Sequence, residues 1–266
     1  MISAPNGAPR FPEASIGTVT RARYDGLADW YESVLLGDPV VPDTATRLLG
    51  SGPGRLLDVG CGTGFHTVRF VEAAWSVIGV DPSDDQLRLA RRRGLEVVRA
   101  LGEELPFGDG EFDAAVSLWT HTDVGDFAAV CRETARVLKA GAPFVYVGTH
   151  PCFVGPHSLF AAGEGVPELH RDWYRRAGRY EDAPGVTPHG LRARVGATHL
   201  PLGEFLQVFL DAGLVLERVE EPGSRDYPIA IALLTATVNI LCLPKSVAAD
   251  VSSEFVRTPA AGRQIA

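Results

Sequence analysis

Between residues 55 and 149 the chain keeps a strict alternation. "RLLDVG", "SVIGVD", "LEVVRA", "AAVSLW" and "APFVYVGT" read as strands, while "FHTVRFVEAA", "SDDQLRLARRRG" and "FAAVCRETARVLKAG" read as helices. Short, continuously apolar strands joined through amphipathic helices must pair in parallel and be covered on both faces. The pattern therefore restricts the chain to a doubly wound α/β fold. Helix ends carry their own marks. Ser83 or Asp84 suits the N-cap of the second helix and Gly94 its end, and Lys139-x-Gly141 closes the third.

With 266 residues, 45% of them hydrophobic, the chain can build one large core. We read a single domain over 1–244, with a helical cap over 16–50, a core over 51–150, an insertion over 151–200 and the rest of the core over 201–244. In the cap, "ARYDGLADWYESVL" has a helical look, with Tyr24, Leu27 and Tyr31 on one face. From His150 to about Pro201 the alternation breaks into prolines, glycines, aromatics and histidines, as in a lid folded over a site. Helix "LGEFLQVFLDAG" and strand "LVLERVEEP" resume it, and the apolar stretch 229–243 supplies a last strand. The first fifteen or so residues read as a disordered arm and 245–266 as a mobile tail.

Several function classes are disfavoured. A net charge of −8 argues against a nucleic-acid or anionic-membrane surface. The cysteines (61, 131, 152 and 242) form no CxxC pair, so neither a zinc site nor a disulfide framework is indicated. The N-terminus lacks the apolar core of a signal peptide. "YPIAIALLTATVNILCLP" is shorter than the ~20 residues of a membrane span, and reads as a buried strand. A soluble, cytoplasmic protein is expected, monomeric or homodimeric.

The chemistry-bearing feature is "LLDVGCGTGFHT", at the first strand–helix turn, where open α/β sheets bind ligands. Glycines at 60, 62 and 64 let the backbone approach a ligand. A dinucleotide loop needs G-x-G-x-x-G, but Phe65 stands at the last position. Asp58 places a carboxylate just before the turn, which suits an ammonium better than phosphates. A purely structural tight turn would look similar. Two more features fall at strand ends. Asp81 closes strand two, where it can accept from both hydroxyls of a ribose or simply cap a helix, and Ser117 to Trp119 end strand four beside the same cleft.

"LLDVGCGTG", "VIGVDPS", "EELPFGDGEFDAAVS" and "RETARVLKAGAPFVYV" together resemble the class I S-adenosylmethionine-dependent methyltransferases, in particular the small-molecule "type 11" group. The likeness covers 24–149, about half of the chain. It implies a seven-stranded sheet whose last strand runs antiparallel, and S-adenosyl-L-methionine as cofactor. It further implies that Gly60, Cys61 and Gly62 line the methionine moiety, with Asp58 supporting the loop. Asp81 would hold the ribose, with Pro82 against the adenine and Gly102 and Glu103 at its edge. Ser117 would offer its carbonyl to the ammonium, and Tyr24 would cap the carboxylate. One departure is Leu101, where the family often carries an acid that accepts from the adenine amino group. Cys61 reads as a packed small residue rather than a nucleophile.

Methyl transfer requires alignment of an acceptor with an activated methyl group and sometimes removal of a proton. Among the seven histidines, His121 follows strand four beside the cleft and is the leading candidate base, with His157 next. His150, His170, His189 and His199 also fall in or border the insertion, with no spacing that indicates a metal. Phe153, Phe160, Trp173 and Tyr174 would wall an apolar acceptor pocket or form the insertion's own small core. Three readings stay open. One is methyl transfer to a small apolar or uncharged metabolite, such as one of specialised metabolism, at O, N or C. Another is use of the same cofactor in a different reaction such as cyclisation, and the third is a non-catalytic binding subunit.

Overall fold

The computed structural model describes residues 22–35, 39–153, 173–180, 190–223 and 230–238. Nine strands and seven helices are assigned among them. They run α1 (Ala28–Leu35), α2 (Val40–Leu49), β1 (Arg55–Val59), α3 (Thr67–Glu72), β2 (Ser76–Asp81), α4 (Asp84–Arg92), β3 (Glu96–Arg99) and β4 (Ala114–Leu118). They continue with α5 (Phe127–Val137), β5 (Pro143–Thr149), β6 (Gly178–Tyr180), α6 (Leu191–Val195), β7 (Ala197–His199), α7 (Leu202–Asp211), β8 (Leu214–Glu220) and β9 (Ala230–Thr237). Seven strands form one sheet in the order β3-β2-β1-β4-β5-β9-β8, and β6 and β7 pair separately as an antiparallel ribbon. Within the large sheet only β9 runs antiparallel to its neighbours, β5 and β8. The doubly wound sheet read from the sequence is therefore present, reversed strand included.

Side-chain alternation explains how both faces are covered. Leu57, Val59, Phe144 and Tyr146 point into a core shared with Phe127 and Val130 of α5 and with Phe205 and Phe209 of α7. Their neighbours Leu56, Val145 and Val147 point the other way, against Val41, Ala45 and Leu49 of α2 and Phe70 of α3. The sheet order reverses between β1 and β4, so connections leave these two strands in opposite directions and a crevice opens at their carboxyl ends.

Two local expectations are corrected. The cap helix starts at Ala28, after a turn at Gly26 with φ +83°, so Tyr24 stands before the helix rather than on its face. Its ring still meets Tyr31 edge-on, at 5.7 Å between centroids. Helix α5 ends at Val137, short of the Lys139-x-Gly141 signal, because Leu138 joins Phe112 in a parallel bridge and the Lys139 N–H donates to the Phe112 carbonyl. Gly141, at φ +77°, instead serves the turn into β5. Inside the insertion, the described residues hold the β6–β7 ribbon and the short α6. The disordered arm, the tail over 245–266, and His157, Phe160, His170 and His189 lie outside the described residues. Among the described residues, no helix is long and apolar enough to cross a membrane.

Candidate functional site

A cavity of about 460 Å³ occupies the crevice. The loop after β1 supplies Gly60, Cys61, Gly62, Phe65 and His66, and the end of β2 supplies Asp81, Pro82 and Ser83. Leu101 to Glu103 and the segment after β4, including Trp119, Thr120, Asp123 and Gly125, close further sides, with Tyr24 and Tyr31 of the cap over the top.

The three glycines of the loop do different work. A β-carbon on Gly64 would stand 2.3 Å from Leu95 Cδ1, and one on Gly60 would stand 2.8 Å from Thr120 Oγ1. Both glycines therefore exist for packing. Gly62, at φ +55°, would meet only Gln86 Oε1, at 3.6 Å. It is the glycine whose missing side chain leaves room in the cavity. Gly79 of β2 completes the arrangement, because a β-carbon there would lie 2.7 Å from Cys61 Sγ. Cys61 thus packs into a notch made for it, and burial pushes its thiol pKa well up, away from nucleophilic chemistry.

Two buried carboxylates set the electrostatics. Asp81 accepts from the Gly62 N–H (3.1 Å) through one oxygen and from the Ser83 N–H (2.9 Å) through the other. Each oxygen keeps a second lone pair for a ligand. Burial raises its pKa to about 6, against the lowering effect of those two N–H donors. Asp58, 2% exposed, accepts from Thr67 Oγ1 at 2.6 Å, and burial raises it to about 7. Two acids held near neutrality by desolvation are the environment that a cation relieves.

Gln86 adds a feature that the sequence reading missed. Ser83-x-x-Gln86 has the spacing of a capping box, in which the glutamine amide would return to the serine N–H. Here Ser83 Oγ does accept from the Gln86 N–H, at 3.3 Å, but Asp81 has already taken the Ser83 N–H. The Gln86 amide is left buried, with neither its oxygen nor its nitrogen partnered, beside the open face of Gly62. Such a group is costly unless something supplies its hydrogen bonds.

The structure brings Tyr24, Asp58, Gly60, Cys61, Gly62, Asp81, Pro82, Gly102 and Glu103 to this one cavity. Ser117 is not among the lining residues. Its hydroxyl bonds to the Val59 carbonyl (2.9 Å) and to Thr120 Oγ1 (2.5 Å) behind the wall, and Leu118 and Trp119 line in its place. Trp119 holds a left-handed backbone, φ 63°, which is a strained state for a large side chain.

His121, expected at the cavity, is instead 2% exposed and does not line it. Its ring sits among Phe127, Tyr146 and Phe205, with Nδ1 bonded to the Tyr146 hydroxyl. Burial, with Arg192 and His199 nearby, drives its pKa down to about 3, so it stays neutral and enclosed. Among the described residues, His66 is the histidine that lines the cavity, lowered to about 4 chiefly by burial. Of the insertion aromatics, Phe153 packs on His150, and Trp173 packs on His199. Tyr174 accepts from the Leu202 N–H. None of these three lines the cavity, whose apolar walls are Phe65, Leu101, Leu118, Trp119 and Val124.

A doubly wound sheet with its reversed strand beside β5, a glycine turn after β1 and an acid closing β2 define a nucleoside-binding enzyme class. The methyltransferase-domain family matches residues 57–146. An uncharacterized protein of Mycobacterium tuberculosis is 33% identical over 202 residues, covering 73% of this chain and 67% of the relative. A demethylmenaquinone methyltransferase of Corynebacterium kroppenstedtii is 35% identical over 124 residues, 44% of this chain and 54% of that enzyme. Among solved structures, an S-adenosylmethionine-dependent methyltransferase from Mesorhizobium loti superposes with TM-score 0.60 at 25% identity, over 73% of this chain and 95% of that one. The chain belongs to the class I S-adenosylmethionine-dependent methyltransferases, and S-adenosyl-L-methionine is its cofactor. The residues present fit that molecule. The open Gly62, the unpartnered Gln86 amide and the spare lone pairs of Asp81 meet a ligand rich in hydroxyl and amino groups, and the two acids meet its positive charge.

Proposed function

We propose that the enzyme methylates a small, uncharged or apolar acceptor by in-line displacement. The observation that carries this reading is the convergence of Gly62, Asp81, Asp58 and Tyr24 on one cavity that also carries the apolar side chains of Phe65, Leu101, Leu118, Trp119 and Val124, with Phe65 40% exposed. In this reading Asp81 accepts from the ribose hydroxyls, while Gly60, Cys61 and Gly62 follow the methionine half. Pro82, Leu101, Gly102 and Glu103 surround the adenine. Leu101 offers no acceptor to the adenine amino group, so backbone or water takes that role. Asp58 balances positive charge through the loop. The segment from Leu118 to Thr120, which lines the cavity where Ser117 was expected, faces the ammonium, and Tyr24 donates to the carboxylate.

The cofactor brings an activated methyl group, so the protein's task is alignment and exclusion of water. Among the described residues His66 is the one histidine that lines the cavity, and it is a poor base at a pKa of about 4. An acceptor that arrives with its own nucleophilic atom therefore fits best, and His66 would orient it. The name of the Corynebacterium relative, which points to a quinone acceptor, supports an apolar class.

Two measurements test the reading. Calorimetry should give one S-adenosylhomocysteine per chain, and an acceptor panel should release S-adenosylhomocysteine in step with methylated product. No heat with either nucleoside at millimolar concentration would overturn it. Acceptor turnover without S-adenosylhomocysteine release would replace transfer with a reaction such as cyclisation.

A further inference from the structure

Asp123 joins three parts of the molecule that are far apart in sequence. It lies just past β4 and lines the cavity. From the cap, the Tyr24 hydroxyl donates to its Oδ1 (2.9 Å) and Arg23 Nη1 to its main-chain carbonyl (2.8 Å). From the insertion, Arg192 of α6 pairs with the same Oδ1, and its Nη2 reaches Thr122 Oγ1 at 2.8 Å. Arg192 is 4% exposed and does not line the cavity, and its Nε is buried without a partner. A guanidinium desolvated to this degree is sustained by the carboxylate it faces. Two further contacts hold the insertion here. Thr198 Oγ1 donates to the Val124 carbonyl at 2.7 Å, and Arg194 sits over the Trp30 ring of α1 at 4.6 Å.

The Tyr24 hydroxyl has one proton to donate, and Asp123 holds it. A ligand carboxylate can receive it only if Asp123 gives it up. Were Tyr24 the sole partner of Asp123, its departure would strand a half-buried charge. Arg192 removes that obstacle, since it pairs with the same oxygen.

We propose that Arg192 is a positioning residue for the cofactor: by neutralising Asp123 it frees the Tyr24 hydroxyl to turn from Asp123 to the ligand's carboxylate. The inference rests on the reading of the cavity as the S-adenosylmethionine site, and it deepens that reading by making the insertion a determinant of cofactor affinity. It also predicts which part of the ligand feels Arg192. The amino acid half does, and the nucleoside does not.

The test compares S-adenosylhomocysteine with 5′-methylthioadenosine, the nucleoside thioether that lacks the amino acid half. Dissociation constants are measured by calorimetry for the full-length wild type, Arg192→Gln, Arg192→Lys and Tyr24→Phe, and for the double variant Tyr24→Phe/Arg192→Gln. Arg192→Gln should weaken S-adenosylhomocysteine about tenfold, within the usual range of coupling between sites, and leave 5′-methylthioadenosine within about twofold. Arg192→Lys, which keeps the charge, should recover most of the loss. Tyr24→Phe should show the same selectivity, and the double variant should be no weaker than the weaker single variant. Equal weakening of both ligands by Arg192→Gln, or additive losses in the double variant, would overturn the proposal by reducing Arg192 to a structural pillar. Should Arg192→Gln fail to fold, Tyr24→Phe alone decides, because equal effects on the two ligands would remove the hydroxyl from the carboxylate and the proposal with it. A wild type that binds neither ligand would overturn the function reading itself.

Discussion

The cavity has two sides built on different principles. After β1 and β2, Asp58, Gly62, Asp81 and Ser83 are held by short-range backbone geometry, with the Gly60 and Cys61 N–H groups both donating to the Val80 carbonyl and Asp81 bridging Gly62 and Ser83. After β4, the wall depends on distant partners, since Asp123 meets Tyr24 across 99 residues and Arg192 across 69. The first side is a rigid cradle that the local sequence determines. The second is an assembly that exists only when cap and insertion are both in place. Mutations on the first side should act on binding directly, and those on the second through geometry.

The sharpest break of that comparison is at Asp81. Asp81→Ala removes the proposed ligand acceptor and frees the Gly62 and Ser83 N–H groups, so S-adenosylhomocysteine affinity should fall by about 3 kcal/mol, roughly 100-fold, as for loss of hydrogen bonds to a charged group. An affinity within threefold of wild type would place the cradle elsewhere. A smaller effect separates the glycines. Gly62→Ala puts a methyl group into the cavity and should weaken binding by about 2 kcal/mol, near 30-fold, with a modest fall in melting temperature. Gly64→Ala, driven against Leu95, should do the reverse, lowering melting temperature far more than the affinity of the protein that remains folded. Equal profiles for the two variants would erase the distinction between packing glycine and ligand glycine.

Protonation gives a third and weaker test. Burial raises Asp81 to about 6 and Asp58 to about 7, while a cationic ligand favours their ionised forms. Binding should therefore release protons below these values. S-adenosylmethionine affinity should rise from pH 5 to pH 7.5, by about tenfold from Asp81 alone and further with Asp58, and then level off, as linkage requires for acids ionised in the complex. An affinity that falls over this interval would reverse the assignment. The smallest effect is expected at His121. His121→Phe should leave turnover within about threefold and the pH–rate profile unchanged, while stability falls by about 1–3 kcal/mol as the buried Tyr146 hydroxyl loses its partner. A loss of 100-fold or more in turnover would return His121 to the reaction.

The contrast between the two sides is also the boundary of what the sequence disclosed. The parallel sheet and the cradle loop were legible because strands and turn residues declare themselves over a few neighbours, as in Asp58-Val-Gly-Cys-Gly and at Asp81, while the reversed strand came only from the family resemblance. His121 was misplaced because residue order shows that it follows β4, but not that its ring turns into the aromatic cluster of Phe127 and Phe205. His66 and Phe65 were passed over because helix α3 starts only at Thr67, which leaves both on the cavity loop. Gln86 did carry a signal, a lone amide between buried positions of α4, but its orphaned state depends on Asp81 taking the Ser83 N–H. Nothing in the local sequence of Arg192 marks it, since its role arises from packing against a loop far upstream.

Helix α1 has no capping side chain of its own. Its first turn is completed from α4, where Asp85 Oδ2 accepts from the N–H groups of Gly26 (2.9 Å) and Ala28 (3.1 Å). Arg88 then reaches back to Asp29, and Arg93 to Glu32. An eight-residue helix is too short to persist alone in water. Its order is thus borrowed from the helix that follows Asp81. The cap that carries Tyr24 and Tyr31 is therefore only as ordered as its seat on α4, so a change at Asp85 reaches the cavity without touching it.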